Sequence, residues 1–360
     1  MKKNAQEITR WEDGGGAPTY AQLERLAYQV YKRPLAVFFL PTPPDERRPK
    51  QEFRSLPEAD IAALTRDTFL HIRKAHAYQV GLEEFYGTTN PVEIRLWERV
   101  SLSVKDNVIA KANAIRTALG IDIARQSGWE REDVALREWR SAVEASGIFV
   151  FKDSFKQKSI SGFCLRDTEF PIVYINNSTT KTRQIFSLLH EVAHLLFKVN
   201  GISKFDKSYL DSLPYTEKEI EIFCNAIAAE ILIPSSDFTQ RIIGLSQNLE
   251  SVSEKVFSSL ASVYGVSREV ILRRFLDLGR VSSTFYKSKS IEWTTQIKKK
   301  MGKGDWYASK GAYLSDRLLR DVFSRRYRKQ ISSEQAADVL GVKTKNLGRL
   351  EEIVLKRMSA

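Results

Sequence analysis

The chain has 360 residues, 42% of them hydrophobic, and its 56 Lys and Arg against 44 Asp and Glu give a formal net charge of +12. That length suffices for roughly two or three domains, and the absence of any run of ~18 apolar residues excludes a transmembrane helix. The start, MKKNAQEITRWEDGG, lacks the apolar core of a secretory signal, and two cysteines, Cys164 in GFCLR and Cys224 in IFCNA, fit buried thiols of a reducing, cytoplasmic compartment better than a disulfide framework.

The first helix signal is TYAQLERLAYQVYKR, residues 19–33. Leu23, Leu26, Ala27 and Val30 recur at helical spacing behind the entry pair Pro18 and Thr19. The prolines Pro41, Pro43 and Pro44 end order and begin a linker. Residues 57–85 and 92–120 read as two amphipathic helices, and 129–146 as another closed by Gly147. Then the period changes. GIFVF (147–151), SISGFCLR (159–166) and PIVYIN (171–176) are β-rich, and the last two flank DTEF as a hairpin. Helices resume near Thr182 and run, with breaks, to the end. No repeat of fixed period interrupts them.

The helix that opens this last part contains SLLHEVAHLLF, residues 187–197, and with it two of the four histidines. Residues four apart lie one turn apart on one helix face, so His190 and His194 can aim at one point, as two legs of a tetrahedral metal site do. Glu191 lies about 100° round the helix from His190, placed to reach a water rather than to complete the tripod. This is the H-E-x-x-H arrangement of zinc peptidases. Leu188, Leu189, Val192, Ala193, Leu195 and Leu196 bury the helix nearly all round. Uncompensated polar groups there would cost on the order of several kcal/mol. His71 and His76, in FLHIRKAHAY, read as surface residues of a charged helix. The third ligand is sought in EKEIEIFCNAIAAEILIP, residues 217–234. There Glu221 shares a face with Cys224, Asn225, Ala228 and Leu232, a stripe of mostly small residues that lets another helix approach. Glu217 shares that face one turn earlier, and Glu230 is the alternative on the opposite side.

FSLLHEVAHLLF followed by EIFCNAIAAEILIP resembles the ImmA/IrrE metallopeptidase family, which pairs an H-E-x-x-H helix with a later E-x-x-x-N-x-x-A-A-x-L-L-x-P helix. The resemblance covers roughly 129–285, with GFCL…PIVYINN matching the family's strand hairpin and LASVYGVSREVILRRFLDLG its closing helices. It implies metal ligands at His190, His194 and Glu221, a catalytic carboxylate at Glu191, and a protein substrate, commonly a helix-turn-helix repressor. Residues 8–44 resemble the back half of an XRE-type helix-turn-helix domain through Trp11, Glu12, Gly14, Pro18, Thr19, Gln22, Leu23, Leu26 and Ala27. The first two helices of such a domain would precede Ile8. Either the chain starts late, or this remnant is expected to serve packing or a homodimer rather than to read DNA alone.

Two segments carry the spacing of a tight helix pair, LASVYGVSREVILRR with Ala261, Gly265 and Ile271, and EQAADVLGVKTKNLGRL with Ala337, Gly341 and Leu347. The second lies in a tail that, from Lys287 onward, carries 18 Lys and Arg against 8 Asp and Glu. Its Lys343, Lys345 and Arg349 are candidate DNA contacts, of the weak kind that a basic patch makes with phosphates.

The expected fold is α+β and mostly helical, a zincin-like core with a small antiparallel sheet beside the HExxH helix and helical flanking domains. The expected units are 1–48 (the remnant), 49–128 (a helical linker domain), 129–285 (the metallopeptidase domain) and 286–360 (the basic helical domain). The expected activity is that of a zinc endopeptidase with one Zn²⁺ per chain. Manganese or iron would accept the same donors. Strand 159–166, read as an edge, would take the cleavage segment as an added strand at Gly162, Phe163 and Cys164. The alternative is a DNA-binding regulator whose metal site is structural or sensory.

Overall fold

Two apolar faces meet in a four-stranded sheet near the middle of the chain. The computed structural model describes residues 4–44, 53, 56–129, 131–204, 207–295 and 306–358. Its strands are β1 (Phe149–Asp153), β2 (Ile160–Leu165), β3 (Ile172–Asn176) and β4 (Gly201–Lys204), in the order β1-β3-β2-β4. Nearly every strand residue is buried, which is why these segments read as unbroken apolar runs.

The sheet is mixed. β2 pairs antiparallel with both β3 and β4, but β1 runs parallel to β3, from Phe149 opposite Ile172 to Asp153 opposite Asn176. β1 and β2 are therefore not a hairpin. The loop 154–159 carries the chain past β3, and Asn177 N–H donates to the Asp153 carbonyl at 2.8 Å, extending the parallel pair. β4 was not expected. GISK has too few residues to alternate, and it is a strand because it pairs with β2 rather than by its own propensity.

The long helices are α1 (Arg66–Tyr86), α2 (Val108–Leu119), α3 (Glu132–Ala145), α4 (Lys181–Leu196), α5 (Tyr215–Leu232), α6 (Glu254–Tyr264) and α7 (Arg268–Asp277). A C-terminal group follows, α8 (Asp316–Tyr327), α9 (Ser333–Val339) and α10 (Leu347–Met358). The fold is mostly helical α+β, as expected. On one sheet face, Val150, Cys164, Val173 and Ile175 share a core with Leu188, Leu189 and Val192 of α4 and with residues of α2, α3, α5, α6 and α7. On the other, Phe149, Phe151, Phe163, Leu165, Ile172, Tyr174 and Ile202 are covered by Ile72, Ala75, Leu82 and Phe85 of α1 and by Leu318, Leu319, Val322 and Phe323 of α8.

Several expected helices are broken by caps. The stretch 57–85 divides into Glu58–Ala62 and α1, because the Thr65 side chain accepts a hydrogen bond from Thr68 N–H and starts a new helix. The stretch 92–120 divides into Leu96–Arg99 and α2, which Asn107 caps in the same way. The N-terminal signal forms Tyr20–Arg25, opened by a Thr19–Gln22 capping box, and continues as a π-helical turn, Leu26–Tyr31. Within 4–44 only Ala27 is buried.

His71 corrects the surface expectation. It is buried, Nε2 lies 3.1 Å from the Ser154 carbonyl, and the ring stacks on Phe155 at 4.9 Å. It falls on the α1 face that also buries Thr68, Ile72 and Ala75, whereas His76 is half-buried. Residues 296–305, which carry part of the basic tail, lie outside the described residues. Among those described, no helix is long and apolar enough to cross a membrane.

Candidate active site

α4 begins at Thr180, whose hydroxyl accepts from Arg183 N–H, and thirteen of its residues are buried, His190, Glu191 and His194 among them. Its companion α5 begins after Pro214 and buries Glu221 with Phe223, Cys224, Ile227 and Ala228. The small side chains of that stripe let α5 lie close along α4, and Glu221 then faces both imidazoles.

The structure brings His190, His194 and Glu221 together, with one ligand atom of each within 4.8 Å of the others. His194 Nε2 lies 3.1 Å from His190 Nε2 and 3.1 Å from Glu221 Oε1, and His190 Nε2 lies 3.3 Å from Glu221 Oε2. A tetrahedron with metal–ligand bonds of 2.0–2.1 Å has edges of about 3.3–3.4 Å. The three donors therefore already stand at nearly the separations that a shared cation would impose. His190 is 3% exposed, and Glu191, His194 and Glu221 are 0% exposed. Among the described residues, buried Glu191 Oε2 accepts no hydrogen bond, and buried Glu221 Oε1 has only the His194 imidazole beside it. Buried orphaned oxygens beside two converging imidazoles fit a cation and are costly without one.

The electrostatics point the same way. Burial opposes the charged form of His194, but the Glu221 carboxylate 3.1 Å away outweighs it and raises the His194 pKa well above the usual imidazole value. Burial likewise opposes ionised Glu221, yet His194 and His190 hold it well below the usual carboxylate range. Burial pushes both cysteine thiols up, with Glu191 adding to the effect at Cys164. Both thiols thus stay protonated, outside the donor set.

Two side chains that carried no signal in the sequence complete the site. The Ser203 hydroxyl, on β4, donates to Glu191 Oε1 at 2.5 Å. The Tyr209 hydroxyl, on the 3-10 segment Lys207–Ser212, donates to Glu221 Oε2 at 3.0 Å. Ser203 faces α4 because side chains alternate along β4, which sends Ile202 into the opposite core.

Other candidates lie elsewhere. Glu230 accepts from Ser235 N–H at 2.7 Å and pairs with Arg274 at 2.6 Å, so it fastens the end of α5 to α7. Glu217 is half-buried one helical turn before Glu221. β2 is not an edge strand, since β3 and β4 occupy both its sides. Gly162, Phe163 and Cys164 are accordingly interior and cannot receive an added strand. Cys164 Sγ instead accepts from Gly201 N–H at 3.2 Å. The edges are β1 and β4. Lys343 and Lys345 are exposed in the turn between α9 and α10, and Arg349 is exposed on the first turn of α10.

A search of curated proteins finds no match to this chain. The family model of the IrrE N-terminal-like domain, peptidase family M78, matches residues 143–276. That span runs from the end of α3 through α7 and contains His190, Glu191, His194, Ser203, Tyr209 and Glu221, so this part of the chain is similar to the IrrE N-terminal-like domain of ImmA/IrrE-type peptidases.

Proposed function

We propose that the protein is a zinc-dependent endopeptidase that cleaves a regulatory protein, a helix-turn-helix repressor, and thereby controls gene expression. The observation that carries this reading is the convergence of His190, His194 and Glu221 next to a Glu191 with one oxygen free. These three side chains would hold the cation, and a two-imidazole, one-carboxylate set of this spacing suits zinc. A bound zinc supplies Lewis acidity for the scissile carbonyl and for water.

The remaining steps belong to the protein. Ser203 keeps Glu191 Oε1 engaged, which leaves Oε2 as the oxygen that takes a proton from the attacking water. Glu191 then delivers that proton to the leaving amine nitrogen as the peptide bond breaks. The low-dielectric surroundings of a fully buried Glu191 strengthen each of these interactions. The ImmA/IrrE likeness supports a repressor as the substrate.

The test is Glu191→Gln, which keeps size and shape but cannot accept a proton. Zinc content and melting should match wild type, while cleavage of the repressor substrate should fall by ~10²–10⁴-fold. A Glu191→Gln protein that cleaves at the wild-type rate refutes the mechanism, and one that loses zinc moves Glu191 into the ligand set.

A second reading rests on the exposed Lys343, Lys345 and Arg349 at the α9–α10 turn. In it the protein binds DNA and the metal is structural or sensory. Our expectation is weak binding without sequence preference that collapses as salt rises, because only phosphate charge is engaged. Sequence-selective binding that persists in raised salt, in a mobility-shift titration, would favour this second reading.

A further inference from the structure

The two oxygens of Glu221 have different surroundings. Oε2 accepts a hydrogen bond from the Tyr209 hydroxyl at 3.0 Å and lies 3.3 Å from His190 Nε2. Among the described residues buried Oε1 accepts no hydrogen bond, and it lies 3.1 Å from His194 Nε2. Tyr209 is itself held. It is buried, the Lys204 ammonium stands 5.6 Å from its ring centre, and Lys204 is tied to Asp60 at 2.8 Å. The hydroxyl is therefore presented to Glu221 by a chain of contacts that reaches outside the two site helices.

We propose that Tyr209 is a positioning residue for the metal ligand Glu221, engaging Oε2 so that Oε1, the oxygen beside His194, is the one better placed to bind the cation. This rests on the reading of His190, His194 and Glu221 as the ligands. Rotation about the terminal carboxylate bond is soft, and a divalent cation draws in both oxygens of a free carboxylate. Bidentate binding would fill the coordination position that a catalytic site keeps open. A hydrogen bond that occupies one lone pair of one oxygen disfavours this.

The imidazoles increase the weight on Tyr209. Metal-bound histidines usually donate their second ring nitrogen to an outer partner. Among the described residues neither His190 Nδ1 nor His194 Nδ1 has a hydrogen-bond partner, although the Cys224 thiol stands beside His194. With little orientation supplied from behind the rings, the Tyr209–Glu221 bond is the strongest outer restraint on the donor set.

The experiment measures zinc affinity of the full chain by competition with a chromogenic chelator. It compares wild type, Tyr209→Phe, Glu221→Ala and the double variant, and repeats the first two with cobalt(II) to read coordination from the visible spectrum. Tyr209→Phe keeps the buried ring and should weaken zinc binding about 10–100-fold, the usual worth of an outer-shell partner. Its cobalt spectrum should shift toward the weaker absorption of a higher coordination number. In the Glu221→Ala background the same change should add nothing, because the hydroxyl acts through that carboxylate. Ser203→Ala, whose hydroxyl serves Glu191, should keep wild-type zinc affinity. The proposal is overturned if Tyr209→Phe stays within about twofold of wild type with an unchanged cobalt spectrum, or if it weakens binding equally with and without Glu221. A wild-type chain that binds no zinc would overturn the ligand reading itself, a result distinguishable from either of these.

Discussion

Gly201 opens β4 directly against the His194 ring. A methyl group built on it would sit 2.6 Å from both Cγ and Cδ2 of His194 and 3.0 Å from Glu191 Oε2. Carbon atoms make favourable contact from about 3.5 Å, so Gly201→Ala demands a displacement of about 0.9 Å. Neither side can easily yield. The ring is fully buried, and Gly201 is fixed in register opposite Cys164 with its N–H on the Cys164 sulfur at 3.2 Å. The backbone at Gly201 does not adopt the left-handed conformation, so the substitution tests space alone. Overpacking of this kind costs about 1–3 kcal/mol, which should lower the metal-free melting temperature by a few °C. The larger effect should fall on the metal. Ligand positions tolerate only about ±0.2 Å, and moving His194 by several times that should weaken zinc binding on the order of 10²-fold. Chelator competition and thermal melting of the purified variant read both quantities. Wild-type zinc affinity together with wild-type melting would refute the packing argument and with it the placement of β4 on the histidine.

Two further outcomes follow from the same geometry. Glu221→Ala should weaken zinc binding strongly, whereas Glu230→Ala should retain zinc and lose about 1–3 kcal/mol of stability by leaving Arg274 without its carboxylate; zinc lost from Glu230→Ala and kept by Glu221→Ala would reverse the ligand assignment. In the metal-free protein, His194 has its pKa raised above about 6.5, so its contribution is complete below that pH and disappears as pH rises through the folded value. Glu221 has its pKa lowered from about 4.5, so its contribution is present above that pH and disappears as pH falls through the folded value. Melting with a chelator present should therefore be highest between these limits and decline on the alkaline side. Zinc should remove the alkaline decline, because it binds the neutral imidazole. An alkaline decline of equal size in Glu221→Gln would show that this pair is not its source.

How much of this was legible in the sequence depends on how local the signal is. The i, i+4 spacing of His190 and His194 is a property of one helix, so it can be read without knowing what packs on it. Glu221 was preferred over Glu230 because its neighbours Cys224 and Ala228 leave room for a second helix, and in the structure α5 does meet α4 along that stripe. Ser203 and Tyr209 had no such pattern. One sits in a four-residue strand that exists only through its pairing with β2, the other in a single 3-10 turn, and their importance comes from what lies across the fold. The error at β2 has the same origin. Which strand is an edge is a fact of sheet order, and SISGFCLR contains nothing to report that β4 would come to lie beside it. His71 was misread because its flanking Arg73 and Lys74 suggest solvent, while the helical face it shares with Ile72 and Ala75 was the better guide.

The sheet also bears on how far the peptidase can be treated as a separable part. The span 143–276 contains the candidate site, but the second face of its sheet is covered in large part from outside it. Phe149, Phe151, Phe163, Leu165, Ile172, Tyr174 and Ile202 are all at most 2% exposed, and the side chains over them include Ile72, Leu82 and Phe85 before the span and Leu318, Leu319, Val322 and Phe323 after it. Each large apolar side chain gains about 1.5–3 kcal/mol from burial. Seven of them together gain roughly 10–20 kcal/mol, as much as the entire net stability of an ordinary domain, about 5–15 kcal/mol. The attachment is specific as well as apolar. Arg140 of α3 donates to the carbonyls of Ala312 and Leu314, and Glu144 accepts from the N–H groups of Asp316 and Arg317 at 3.2 and 3.0 Å. The flanking helices are thus part of the support on which β2 and β4 rest, and β4 is the strand that sets Ser203 on Glu191 and Gly201 against His194. The candidate metal site between α4 and α5 consequently depends, through the sheet, on residues about a hundred positions away in each direction.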